Sequence, residues 1–189
     1  MELEQTLARD AEIALSKDRF SHVQGVVETA EQLASLHGVD RVSARLAAWL
    51  HDLAREWPEA KLEMEAEKID VPKGFGAIPT LLHGPVAAHL GRTVYDIGDA
   101  DILHAVTYHT TGSLGMGMLD KVLFLADTIE PGRRFPEVTA IRELSQVSLD
   151  DAMLLALDSS LKYLLAVKKQ IFPLTVMVRN EYLEKVQKA

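Results

Sequence analysis

Four histidines and two aspartates, His22, His51, Asp52, His83, His109 and Asp127, stand where a purely structural account is awkward. At helical spacing His22 shares a stripe with Val26, Thr29, Leu33 and Leu36, which turns its imidazole inward among apolar side chains. His109 lines up with Ile102, Ala105 and Val106, and Asp127 continues the stripe of Leu119, Leu123 and Phe124. A buried carboxylate without compensation costs several kcal/mol or gives up its charge, and a divalent cation is an economical compensation. In ARLAAWLHDLAR the apolar run makes His51 and Asp52 the polar tip of a buried helix end. Neighbours on a helix diverge by about 100°, so this pair approaches one cation from the side or bridges two. Imidazole with carboxylate favours iron, manganese, cobalt, nickel or zinc over calcium or magnesium. Taken singly, each of these residues also has an ordinary reading as a satisfied core group; the ordered set of six is what points to metal.

Other residues are candidates for substrate contact. Arg55 follows Asp52 by about one helical turn, within reach of a phosphate, although a solvated pair with Glu56 or Glu59 explains it too. Arg133 in EPGRR lies just past the Asp127 segment and suits a phosphate or ribose better than Arg134 does. Thr110, Thr111 and Gly112 follow His109 and offer hydroxyls and amides, though a helix stop accounts for them nearly as well. Gly112, Gly115 and Gly117 form no Walker motif, which needs Gly-Lys followed by Ser or Thr. His37, next to Gly38, reads as a helix C-terminal residue, His89 and His104 as structural, and Trp49 and Trp57 as core.

The elements that position these residues are helical, since apolar residues recur at three and four positions along nearly the whole chain. The expected helices run about 3 to 16, 20 to 37, 40 to 55, 58 to 68, 85 to 95, 99 to 109, 118 to 129, 137 to 145, 149 to 169 and 173 to 187. Gly38, Gly112 and Pro131 mark ends, Pro85 suits a first helical position, and the irregular stretches fall near 70 to 84 and 110 to 117. The reading is an all-α, single-domain bundle over residues 1–189, with its core at 18–138 and the helices of 139–189 packed on it.

Composition narrows the chemistry. With no cysteine, thiolate metal sites, disulfides and a cysteine nucleophile are excluded together. Twenty Lys and Arg against 28 Asp and Glu, a net charge of −8, oppose a nucleic-acid polymer as partner but not a small polyphosphate held by metal ions and one or two Arg. The start MELEQTLARDAEIAL lacks a signal-peptide pattern and no run approaches 18 apolar residues, so the expectation is a cytoplasmic protein with no membrane partner. Homodimerisation stays open.

The order His22, His51-Asp52, Asp127 resembles the HD-domain metal-dependent phosphohydrolase superfamily, and the additional His83 and His109 resemble its two-metal subgroup. HDLARE, LLHGPVAAHL, YHTTG and LDKVLFLADTIEPGRRFPEV are similar to the YqeK-like family of symmetrical diadenosine tetraphosphate hydrolases, over about Phe20 to Val138 and more weakly beyond. The resemblance implies an HD-type helical bundle with a binuclear centre, often of iron, with manganese or cobalt as alternatives. It implies His22, His51, Asp52 and Asp127 at one ion, Asp52 bridging, and His83 with His109 at the second. It further implies hydrolysis of diadenosine tetraphosphate to two ADP. A two-metal site can present a metal-bridging hydroxide to phosphorus, and in that mechanism Asp52 as the bridge and Arg55 at the phosphate are the catalytic candidates. The family commonly has a larger residue where Gly84 stands here. Rival readings are another HD hydrolase, acting on a nucleoside monophosphate, deoxynucleoside triphosphate or guanosine polyphosphate, and a noncatalytic helical binding module held by one zinc ion.

Overall fold

The computed structural model describes residues 2–188, and among them the regular structure is entirely helical. Ten α-helices follow one another: α1 (Glu2–Ala14), α2 (Lys17–His37), α3 (Arg41–Leu50), α4 (Glu59–Ala66), α5 (His83–Thr93), α6 (Ala100–Tyr108), α7 (Met118–Ile129), α8 (Val138–Ser145), α9 (Leu149–Ala166) and α10 (Pro173–Lys188). Short 3₁₀ turns at Phe75–Ala77 and Pro79–Leu82 lead into α5. None of these helices is long and apolar enough to cross a membrane.

Side-chain caps explain several of the starts. Ser16 accepts from the Arg19 amide to begin α2, Asp40 from Ser43 at 2.7 Å to begin α3, and Asp99 from Asp101 at 2.9 Å to begin α6. Helix α2 ends on Gly38 in the left-handed region, φ 69°, which costs glycine nothing. Pro85 stands third in α5 rather than first, still within the opening turn where a missing N–H breaks no helical bond.

The main core joins Val23, Val26, Ala30 and Leu33 of α2 to Ala44, Ala47 and Leu50 of α3 and Val122, Leu123 and Ala126 of α7. Helices α5 and α6 pack on each other and α6 packs on α7, while α9 lies against α7 and α10 against α9, burying Val178 and Tyr182. Each large apolar side chain buried in this way contributes about 1.5–3 kcal/mol. A smaller cluster of Ala54, Leu62, Phe75, Leu82 and Val86 ties the turn after α3 to α4 and the entry of α5.

Two expectations need correction. The third helix stops at Leu50 instead of running to 55. The His51 ring takes the Ala48 carbonyl at 2.6 Å, the acceptor a continuing helix would offer to the Asp52 amide. The chain then tightens into turns with Leu53 bonded to Leu50, Arg55 to Asp52 and Trp57 to Ala54. The buried face of α2 is also rotated from the expected stripe. It centres near Val23 and Ala30, so Leu36, roughly 120° from Ala30 at 100° per residue, is 52% exposed. His22 consequently sits at the edge of the buried face, with its side chain 10% exposed.

Candidate metal centre

Five separate segments deliver the six residues to one place. His22 comes from the second turn of α2, His51 and Asp52 from the tightened end of α3, and His83 is the first residue of α5. His109 directly follows α6, and Asp127 lies in the last turn of α7. His51, Asp52, His83 and His109 are nearly inaccessible.

The two oxygens of Asp52 face different partners. Its Oδ2 lies 3.4 Å from His51 Nε2 and 3.7 Å from His22 Nε2; its Oδ1 lies 3.4 Å from His83 Nε2 and 3.9 Å from His109 Nε2. Asp127 Oδ1 is 3.1 Å from His22 Nε2. Donor atoms of His22, His51 and Asp127, and likewise of His51, Asp52 and His109, lie within 4.8 Å of one another, close enough to share an ion.

Hydrogen bonds at the far side of each ring set the tautomers. His51, His83 and His109 each donate from Nδ1 to the carbonyl three residues back, Ala48 at 2.6 Å, Thr80 at 2.5 Å and Val106 at 2.7 Å. In the neutral ring each Nε2 is then a lone pair aimed at the centre. His83 and His109 bring those nitrogens to 3.0 Å of one another, and His22 and His51 Nε2 are buried with no hydrogen-bond partner. Two lone pairs facing at that distance repel unless a cation joins them. Donors about 2.1 Å from one ion and at a right angle lie roughly 3 Å apart, so the spacing fits a shared divalent metal.

Charge states agree with that donor set. Burial opposes ionisation of Asp52, but His51 and His83 hold its carboxyl well below the usual range. Burial likewise works against Asp127, and His22 with Arg133 outweighs it. Burial together with the neighbouring imidazoles pushes His109 down to about 3, which leaves it neutral and ready to ligate. His51 is raised despite burial, because Asp52 and Asp127 stabilise its protonated form. Ionised oxygens with imidazoles and no sulfur, His51 giving up its proton on ligation, suit a divalent first-row transition metal.

The candidates for substrate contact are distributed around this centre. Arg133 binds Asp127, with Nη2 at 2.7 Å from Oδ1 and Nε at 2.9 Å from the backbone carbonyl. Thr110 Oγ1 lies 3.2 Å from His109 Nε2. Thr111 instead turns away, its buried hydroxyl donating to the Gly112 carbonyl at 2.9 Å. Gly112 has φ +69° and a Cβ there would meet Val178 Cγ1 at 2.9 Å, so it is the turn and the packing against α10 that require glycine. Arg55 is half-buried beside Asp52, joined to it through the backbone, and its guanidinium forms no ion pair among the described residues. Glu56 instead accepts from the amide and hydroxyl of Ser16 at 2.6 and 2.7 Å.

The remaining histidines lie outside. His37 Nε2 bonds the Ser145 carbonyl at 2.7 Å, joining α2 to α8, and His104 Nδ1 pairs with Asp120 at 2.7 Å. Trp49 stacks on Phe20 in the core, and Trp57 is half-buried under Lys61. Two residues at the centre escaped the sequence reading. Arg19 Nη1 lies 3.0 Å from Asp52 Oδ2, and Glu130 Oε1 lies 3.1 Å from His22 Nδ1. Each stands three positions from a ligand in sequence, Arg19 before His22 and Glu130 after Asp127, a one-turn spacing that was the available signal.

Comparison with known proteins adds to this geometry. The family model described as "HD domain" matches residues 19–132. The symmetrical bis(5'-nucleosyl)-tetraphosphatase of Bacillus subtilis is 35% identical over 167 residues, covering 88% of this chain and 90% of that protein. The protein of the same description from Halalkalibacterium halodurans is 36% identical over 170 residues, covering 89% and 91%. The crystal structure of a predicted HD superfamily hydrolase involved in NAD metabolism, from Clostridium acetobutylicum, superposes with a TM-score of 0.90 at 30% identity, over 96% of this chain and 97% of that one.

Proposed function

The chain belongs to the HD-domain family of symmetrical bis(5'-nucleosyl)-tetraphosphatases, and from that we propose that it hydrolyses diadenosine tetraphosphate to two ADP at a binuclear centre. One molecule of water is consumed, and the bond broken joins the second and third phosphates. The observation that carries the reading is the division of Asp52, one oxygen toward His22 and His51 and the other toward His83 and His109. His22, His51, Asp52 and Asp127 would hold one divalent ion, and His83, His109 and Asp52 the second, with iron as the proposed metal and manganese or cobalt able to replace it. Such ions supply activated water and neutralise charge on the phosphoryl oxygens.

The protein's own part is to orient and to bind. The backbone bonds behind His51, His83 and His109 fix three rings before any ligand arrives, so little reorganisation accompanies loading. Arg133 and Arg19, 38% and 29% exposed at their side chains, flank the centre with cationic groups suited to a polyphosphate. Arg55 and the Thr110 hydroxyl extend that surface, with Thr111 and Gly112 shaping the loop beneath it. We also take the chain as one domain, a reading supported by the continuous core from Leu7 to Tyr182.

Chromatography of the products formed from diadenosine tetraphosphate by manganese-loaded or anaerobically iron-loaded protein tests the proposal. ADP as sole product is expected. ATP with AMP means asymmetric attack, and turnover of a different nucleotide alone removes the dinucleotide as substrate.

A further inference from the structure

His22 differs from the other three histidines in how its far nitrogen is held. His51, His83 and His109 stand at helix boundaries, where a carbonyl three residues back is free to accept. His22 lies inside the 21-residue α2, where backbone carbonyls serve the helix. Its Nδ1 is met from another element, by Glu130 Oε1 at 3.1 Å. Glu130 ends α7 three residues after Asp127 and is 5% exposed, a buried carboxylate.

The surroundings are shaped to admit that carboxylate. Gly25, one turn beyond His22, faces it: a Cβ at Gly25 would lie 2.8 Å from Glu130 Oε2 and 3.3 Å from the Pro131 ring. Gly132 is equally close, since a Cβ there would meet both Glu130 oxygens at 2.9 Å, and its amide donates to Oε2. Arg133 Nε lies 3.8 Å from Oε1, and Arg142 Nη2 donates to the Glu130 carbonyl at 2.8 Å. Two glycines and Arg133 thus surround a buried carboxyl group at the back of one imidazole, and Arg142 holds its backbone.

From this we infer that Glu130 is a positioning residue for the ion held by His22, fixing the Nδ1-protonated tautomer and strengthening Nε2 as a donor, with Gly25 as the notch that lets it approach. The inference rests on the binuclear reading given above. It makes the two halves of the centre unequal. The half built on His22, His51 and Asp127 has a carboxylate behind one of its rings, while the half built on His83 and His109 has only backbone carbonyls behind both. Carboxylates in this position typically change metal affinity by about 10–100-fold.

Manganese binding to the full chain, followed by electron paramagnetic resonance and by the rise in melting temperature on loading, tests the inference without reference to turnover. Wild type should bind two ions; if it binds fewer, the binuclear reading fails and takes the inference with it. In Glu130→Gln, which keeps shape and removes charge, one ion should bind about 10–100-fold more weakly while the second is unchanged. Gly25→Ala keeps the charge but sets a Cβ against Glu130, so it should reproduce the weakening of that one ion while the second stays at wild-type affinity. If Glu130 serves only the turn at Pro131 and Gly132, its replacement lowers the metal-free melting temperature and leaves both affinities alone. That result, or two wild-type affinities in Glu130→Gln, overturns the inference.

Discussion

His83 and His109 meet nitrogen to nitrogen, 3.0 Å apart, with both Nδ1 protons already committed to Thr80 and Val106 carbonyls. Helices α5 and α6 can hold this arrangement because Gly84 follows His83. A Cβ at Gly84 would lie 2.7 Å from the Thr107 carbonyl oxygen and 3.0 Å from that of Val106, the acceptor that orients His109. These are backbone atoms and cannot swing aside. Gly84→Ala should therefore cost about 1–3 kcal/mol and loosen the ion shared by His83 and His109, read by denaturant melts and metal content. Relatives with a larger residue here would need a wider spacing of these helices.

Asp52→Ala should remove both ions and bring turnover to background, because each oxygen of Asp52 addresses a different half of the centre. Elemental analysis after gel filtration checks this. Two retained ions with full activity would end the bridging role.

Arg55→Ala should retain both ions and the helical content while turnover falls by about 10–100-fold, the equivalent of one charge-assisted hydrogen bond of about 1.5–3 kcal/mol. Arg19→Ala provides the comparison. Since Arg19 Nη1 contacts Asp52 Oδ2 directly, its loss should alter metal affinity as well as turnover. A loss of metal affinity in Arg55→Ala as large as that in Arg19→Ala would show that Arg55 has no separate role with substrate.

Metal uptake should strengthen with rising pH. Burial alone would lower the His51 pKa, but Asp52 and Asp127 raise it above its ordinary value, so metal-free protein retains that proton to higher pH than an isolated imidazole does. Ligation must displace it, and binding therefore releases protons and weakens as pH falls through this raised value. Calorimetry in buffers of different ionisation enthalpy counts them. A release that does not grow as pH is lowered would contradict the ordering.

The helical bundle and the clustering of six ligand candidates were legible in the sequence because both depend on period. Buried stripes recur at three and four residues, and a charged or imidazole group on such a stripe stands out, as His109 and Asp127 do. The end of α3 was not legible. WLHDLARE continues the helical pattern, yet the His51 ring takes the Ala48 carbonyl and the chain tightens into turns there. Leu36 misled because the four residues grouped with it fit one stripe, while the true face, centred on Val23 and Ala30, is set by what α3 and α7 present. Arg19 and Glu130 were passed over because exposed helix starts and turns ordinarily carry charge; the folded chain turns them toward Asp52 and His22.

The contact map of the centre also bears on the order in which the chain assembles. His22 and the His51–Asp52 pair belong to the adjacent helices α2 and α3, while His83 and His109 belong to the adjacent pair α5 and α6. Ser16 at the head of α2 is latched to Glu56 just beyond α3, which closes the first pair on itself. Five of the six ligands, Asp127 excepted, are therefore encoded in two helical hairpins that each close a loop of about 30 residues, and such local contacts form quickly. Docking of the hairpins against α7, which contributes Asp127, is the step expected to come last. A divalent ion added to a refolding chain should consequently slow unfolding more than it speeds folding, because it joins two preformed halves across their seam.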